Sequence, residues 1–192
     1  MDSTHAFPVQ AAPVVRLEEC LVYRNRFVAL YDDRVRFMNG RPGRYYRVVP
    51  AGSSDPPVVV MPVAAGCAAL VRVWRYAVQS WEWGFPRGYA HGPDSRQSAR
   101  AELAEEIGAE PEELVPLGRI WPDSAHTEST VHAYAARLSP EARSGQAADT
   151  EEIAEIRWLP LPELAARIAA GQITDGFTLA AFGLWSACRA AQ

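Results

Sequence analysis

The chain has 192 residues, 48% hydrophobic and 22% charged, with a formal net charge of −4. That is long enough for one well-buried domain plus an appendage and too short for two full domains, and the acidic balance supplies no basic stripe for a nucleic-acid polymer. Cys20, Cys67 and Cys188 are odd in number and widely spaced, which argues against a zinc site and a disulfide framework.

A reducing cytoplasm is therefore the expected compartment, and the N-terminus has no charged start followed by an apolar run of the secretory kind. Residues 1–13, with Pro8 and Pro13, read as a disordered tail. Residues 14–50 read as a small antiparallel β unit. Its runs are Phe27 to Tyr31, Val35 and Phe37 alternating with Arg34 and Arg36, and Tyr45 to Val49. Asp32-Asp33 and Asn39-Gly40 are expected turns between them. Residues 51–57, rich in Gly, Ser and Pro, read as a linker, and 58–192 as the main domain. There Val58 to Val63 and Cys67 to Val73 are continuous apolar runs of the kind that form buried strands, followed by Trp74-Arg75-Tyr76.

The stretch from Gly84 to Ala109 joins a Phe85-Pro86-Arg87-Gly88 turn to a helix. Asp94, three residues before Gln97, supplies an N-cap, and Gly108 a left-handed C-cap. At about 100° per residue, Ala99, Leu103 and Ile107 form an apolar stripe, while Glu102, Glu105 and Glu106 fall within roughly a third of the circumference. Like charges at this spacing cost a helix about 0.2–0.5 kcal/mol per pair. A cation relieves that repulsion, and Mg²⁺ suits carboxylate and water ligands best; the alternative is a solvated acidic face.

Leu117 to Trp121 and Val131 to Leu138 read as strands linked by PDSAHTEST, which carries His126 and Glu128. The polar loop Ser139 to Thr150 ends in Glu151-Glu152 before a strand at Ile153 to Leu159. Loops of about a dozen residues inside a compact domain are often functional, although a solvated acidic linker is the other reading. Leu161 to Ala170 and Thr178 to Ala190 read as helices. The apolar run Phe177 to Ala191 is too short and too interrupted to span a bilayer and is expected to be a core helix, so no membrane partner is implied.

The helix resembles the signature of the Nudix hydrolases: glycine, five residues, glutamate, seven residues, then Arg-Glu-aliphatic-any-Glu-Glu-any-Gly-aliphatic. Its second half reads Ala101-Glu102-Leu103-Ala104-Glu105-Glu106-Ile107-Gly108-Ala109. Ala101 stands where that signature has arginine, with Arg100 the nearest guanidinium. The spacing back to Gly88 is one residue short, and Pro93 or Asp94 occupies the place of the first glutamate. Many relatives also carry glutamate where this chain has Gly84. The segment NRFVALYDDRVRFMNGRPGRYYRVV and the closing WLPLPELAARIAAGQITDGFTLAAF are similar to the branch that hydrolyses ADP-ribose and nucleotide sugars.

That resemblance implies an α/β/α Nudix sandwich, a mixed sheet between helices, preceded by the β unit, which mediates homodimerisation in those enzymes. It implies metal ligation by Glu102, Glu105, Glu106 and the carbonyl of Arg87, with Mg²⁺ or Mn²⁺ as cofactor. It implies catalysis by Glu151 or Glu152 together with metal-bearing Glu105, and substrate contacts from Arg75, Arg87 and Glu128; Arg75 alternatively pairs with a surface acid. The implied partner is a small nucleoside diphosphate derivative, ADP-ribose or a nucleotide sugar. The alternatives are dinucleoside polyphosphates, coenzyme A, or a nucleotide-binding module without hydrolysis, which the altered signature supports and the intact trio of glutamates opposes.

Overall fold

The strand β3, Val28–Phe37, is the axis of an N-terminal unit comprising Met1–Gly52 and Asp123–Glu128. The computed structural model describes residues 12–50, 57–89, 92, 94–144 and 153–191. β4, Pro42–Pro50, pairs antiparallel along one edge of β3 from Val28 to Arg36. β1, Val14–Glu18, and β2, Leu21–Arg24, follow one another along the other edge. The Asn39-Gly40 turn forms as expected, with Gly40 at φ +80°.

Asp32-Asp33 does not form a turn; β3 runs straight through it. Strand alternation puts Ala29, Tyr31, Asp33 and Val35 on the buried side, so Asp33 lands among apolar residues. The chain tolerates this because Arg47 Nε donates to Asp33 at 2.6 Å and the Cys20 backbone N–H donates to it at 3.0 Å. The outward-facing Asp32 accepts from Arg44 on β4 at 2.6 Å. Cross-strand arginines thus supply what a local turn reading of two aspartates leaves out.

The second unit comprises Ser53–Pro122 and Ser129–Gln192. Its strands are β5 (Val58–Ala64), β6 (Cys67–Arg75), β7 (Ser80–Gly84), β8 (Arg87–Gly88), β9 (Glu113–Ile120), β10 (Val131–Arg137) and β11 (Ile153–Pro160). They form one mixed sheet in the order β11-β6-β5-β10-β9, with β7 added on β6 and β8 on β5. β10 runs parallel to β5, and the other pairs are antiparallel. β9 starts four residues earlier than expected and includes Pro116, which sits on an edge strand where a missing N–H is tolerated.

Each central strand feeds two cores. Val58 and Val60 of β5, Ala69, Val71 and Val73 of β6, and Tyr134 and Ala136 of β10 pack with Ala99, Leu103 and Ile107 of α1, Ser95–Ile107. Val59 and Met61, Ala68 and Leu70, and Val131 and Ala133 pack on the opposite face. That face is covered by α2, Leu161–Ala169, and α3, Gly176–Ala190, through Leu164 and Ala181. This is why β5 is apolar at every position and β6 from Cys67 to Val71, rather than at alternate ones. The result is the mixed α/β sandwich expected, with the small antiparallel unit before it. Among the described residues no helix is long and apolar enough to cross a membrane.

Candidate active site

Helix α1 is bounded by the caps that its sequence implies. Asp94 accepts from the Arg96 backbone N–H at 2.9 Å, and Gly108 adopts φ +69° as its N–H returns to the carbonyls of Leu103 and Ala104. The apolar stripe is fully buried, which fixes the rotation of the helix on the sheet. Glu105 is exposed, Glu106 is partly buried, and Glu102 is buried at 5% exposure. The three glutamates therefore do not share one solvated face.

Glu102 is accommodated by a glycine. A Cβ built on Gly88 would overlap the Glu102 carboxylate, both oxygens and Cδ included, so the absent side chain of β8 is the space that the carboxylate fills. Beside it, Glu106 accepts from the backbone N–H of Arg87, while its Oε2 is buried with no hydrogen-bond partner. Burial first, and the charge of Glu102 second, push the Glu106 carboxyl up to about 8. Two carboxylates are thus held together with one oxygen unsatisfied, an arrangement that a bound cation completes.

Arg75 ends β6 and Arg87 begins β8. The Nε of Arg75 is buried with no hydrogen-bond partner, and its charge acts on Glu82, Arg87 and Glu106. Arg87 is 3.2 Å from Asp175 Oδ1, and its guanidinium lies 4.1 Å from the centre of the Phe177 ring. Burial pulls the Arg87 guanidinium below its usual value; Asp175 opposes that shift and Arg75 adds to it. Glu82 lies below the ordinary carboxyl value because the hydroxyls of Thr174 and Ser80, each at 2.7 Å, stabilise its charged form. Two guanidinium groups beside two carboxylates form an electrostatic frame for an anion bridged to a cation.

Glu128, Glu151 and Glu152 are the remaining candidates. Glu128 belongs to the N-terminal unit, where it accepts from Arg47 at 2.6 Å, and His126 stacks on Tyr46 with ring centres 4.4 Å apart. Glu151 and Glu152 lie outside the described residues. Among the described residues no group of three or more His, Cys, Asp or Glu side chains is arranged to hold a metal ion. Arg100 donates to the Pro111 carbonyl at 3.3 Å and sits 3.5 Å from Glu110, so it does not stand in for the arginine replaced by Ala101.

Sequence reasoning missed Asp175 and Thr178. Asp175 caps α3, its Oδ2 accepting from the Thr178 N–H at 3.0 Å and the Thr178 hydroxyl at 2.8 Å. The cap pattern is legible in Asp175-Gly176-Phe177-Thr178, but the pairing with Arg87 is not.

A family description of the NUDIX domain matches residues 55–178. Over 93 residues the chain is 37% identical to a candidate mutator protein, MutT4, of Mycobacterium tuberculosis (strain CDC 1551 / Oshkosh); the match covers 45% of this chain and 36% of that protein. The chain therefore spans only about a third of that relative's length. It is 26% identical over 139 residues to the ADP compounds hydrolase NudE of Escherichia coli (strain K12), covering 71% of this chain and 73% of that one. A crystal structure of an ADP compounds hydrolase superposes with a TM-score of 0.78 at 19% identity, covering 96% of this chain and 98% of the other, a likeness of fold. With the match to the family covering well over half of its length, this chain belongs to the Nudix family.

Proposed function

We propose that the protein is a metal-dependent pyrophosphatase that hydrolyses nucleoside diphosphate-linked compounds, with ADP-ribose or a nucleotide sugar as substrate. The observation that carries this reading is the Glu102–Glu106 pair, with its buried, unpartnered Oε2, set beside Arg75 and Arg87. The resemblance to the ADP-ribose branch and the E. coli ADP compounds hydrolase support the substrate class.

In the reaction, water attacks one phosphorus of the diphosphate. The bond from that phosphorus to the bridging oxygen breaks, and the oxygen leaves with the second phosphate, giving two monophosphates. Arg75 and Arg87 orient the diphosphate through charge-assisted hydrogen bonds. Glu151 or Glu152 accepts the proton of the attacking water. Glu102, Glu105, Glu106 and the Arg87 carbonyl would hold Mg²⁺ or Mn²⁺, which would supply charge compensation at the phosphate oxygens and lower the pKa of water.

The protein acts as a homodimer in the cytoplasm. The exposed side chains of Leu17, Leu21, Val22 and Tyr23 support the first point and three free cysteines the second.

The test is a panel of diphosphate compounds with Mg²⁺ or Mn²⁺, scored for released monophosphate through a coupled phosphatase. Release from ADP-ribose or a nucleotide sugar supports the proposal; metal-dependent binding heat without product identifies a binding module instead. Glu105→Gln, on an exposed position, should abolish metal-dependent release while leaving the melting temperature nearly unchanged. Of Glu151→Gln and Glu152→Gln made singly, one should show a large fall in turnover, and equal small effects would return both to a solvated linker.

A further inference from the structure

The short segment Phe85 to Gly88 carries Arg87 and meets both glutamates, and it is anchored by α3 from the far side of the sheet. The Phe85 backbone N–H donates to Thr178 Oγ1 at 2.8 Å, in a pair where both residues are fully buried. That hydroxyl in turn donates to Asp175 Oδ2 at 2.8 Å. The second oxygen, Asp175 Oδ1, faces the Arg87 guanidinium at 3.2 Å. Gly84 leaves room for the arrangement, since a Cβ there would come within 3.1 Å of Thr178 Oγ1 and 3.2 Å of Asp175 Oδ2. From the same turn, the Arg87 N–H holds Glu106 and the bare Gly88 seats Glu102.

We infer that Asp175 and Thr178, at the start of α3, are positioning residues for the reaction: Thr178 sets the turn that places Glu102 and Glu106, and Asp175 sets the direction of the Arg87 guanidinium. The inference rests on the hydrolytic reading above. The two residues act on different quantities. Thr178 works through the backbone of the turn and so governs the response to metal and the turnover. Asp175 works through one side chain that meets the diphosphate and so governs affinity. A helix cap with a structural role alone contributes to melting temperature and leaves both quantities unchanged.

The experiment compares Thr178→Val, Thr178→Ser and Asp175→Asn in the full chain, with ADP-ribose as the probe. Thr178→Val keeps the shape of the side chain and removes its hydroxyl, and it should lower kcat about tenfold or more and raise the Mg²⁺ concentration for half-maximal rate, with Thr178→Ser restoring both. Asp175→Asn, which still caps α3, should raise KM about tenfold with kcat changed far less, and should weaken metal-free ADP-ribose binding in calorimetry by a similar factor. If Thr178→Val does not fold, Thr178→Ala, which also removes the hydroxyl, carries the same test of turnover and Mg²⁺ response, and Asp175→Asn tests affinity separately. If the wild type binds ADP-ribose but releases no product, hydrolysis is the wrong reading, and the metal-free Kd of Asp175→Asn still supports or overturns the positioning role. Variants that melt lower yet keep wild-type kcat, KM, Mg²⁺ response and Kd would overturn it.

Discussion

Gly88 shows how much one absent side chain decides. In the sequence it reads as a turn glycine, free to let the backbone approach a metal or phosphate. In the fold its backbone lies in β8, paired with Val58, and its missing Cβ is the volume occupied by the Glu102 carboxylate. A buried carboxylate displaced by a methyl group has no nearby alternative at equal cost, because moving it removes its neighbours without returning it to water. Gly88→Ala should therefore lower turnover by about a hundredfold, the effect of a displacement near 1 Å in a catalytic group. Steady-state hydrolysis of the best substrate, with a thermal melt alongside, checks this. Normal activity in the Gly88→Ala protein would mean that Glu102 is not held where the reaction needs it.

At the scale of elements, β3 carries its own electrostatic lock. Burial alone would raise the Asp33 carboxyl, but the bond from Arg47, the Cys20 N–H and the charges of Arg47 and Arg16 together hold it below the ordinary value. A carboxyl depressed in the folded state contributes stability that is present in full above the unfolded value, about 3.9, and is lost as the pH falls below it. The N-terminal unit should thus lose near-UV circular dichroism as the pH drops from about 4 toward the folded value. Asp33→Asn should flatten that acid dependence and cost about 3 kcal/mol at neutral pH, the low end for breaking a buried pair. The low end applies because Glu19 and Glu128 still face Arg47. A urea titration at two pH values measures both effects, and an acid limb as steep in Asp33→Asn as in the wild type would assign the lock to other groups.

For the whole molecule, the exposed apolar side chains of the N-terminal unit lead to an association test. Sedimentation of the full chain should give twice the monomer mass, and deletion of residues 1–50 should give a poorly soluble monomer. A soluble full-length monomer would remove the dimer. The sequence by itself determined the elements that depend on neighbours along the chain. The caps of α1 at Asp94 and Gly108, its apolar stripe and the two-faced strands β5 and β6 all follow from local hydrogen bonding and from the periodicity of burial. The same local logic misread Asp32-Asp33 as a turn and began β9 at Leu117 rather than Glu113, because what permits each is set by distant chain: Arg44 and Arg47 on β4 for the first, an edge position in the sheet for the second. The three glutamates were legible as a group, but their division into a buried Glu102, a partly buried Glu106 and an exposed Glu105 was decided by how α1 settles against β8. Only the tertiary structure brought Asp175 and Thr178 to the turn before α1. Thr178 lies 93 residues from Phe85 along the chain, and the hydrogen bond from the Phe85 N–H to its Oγ1 forms because the two groups share space rather than sequence.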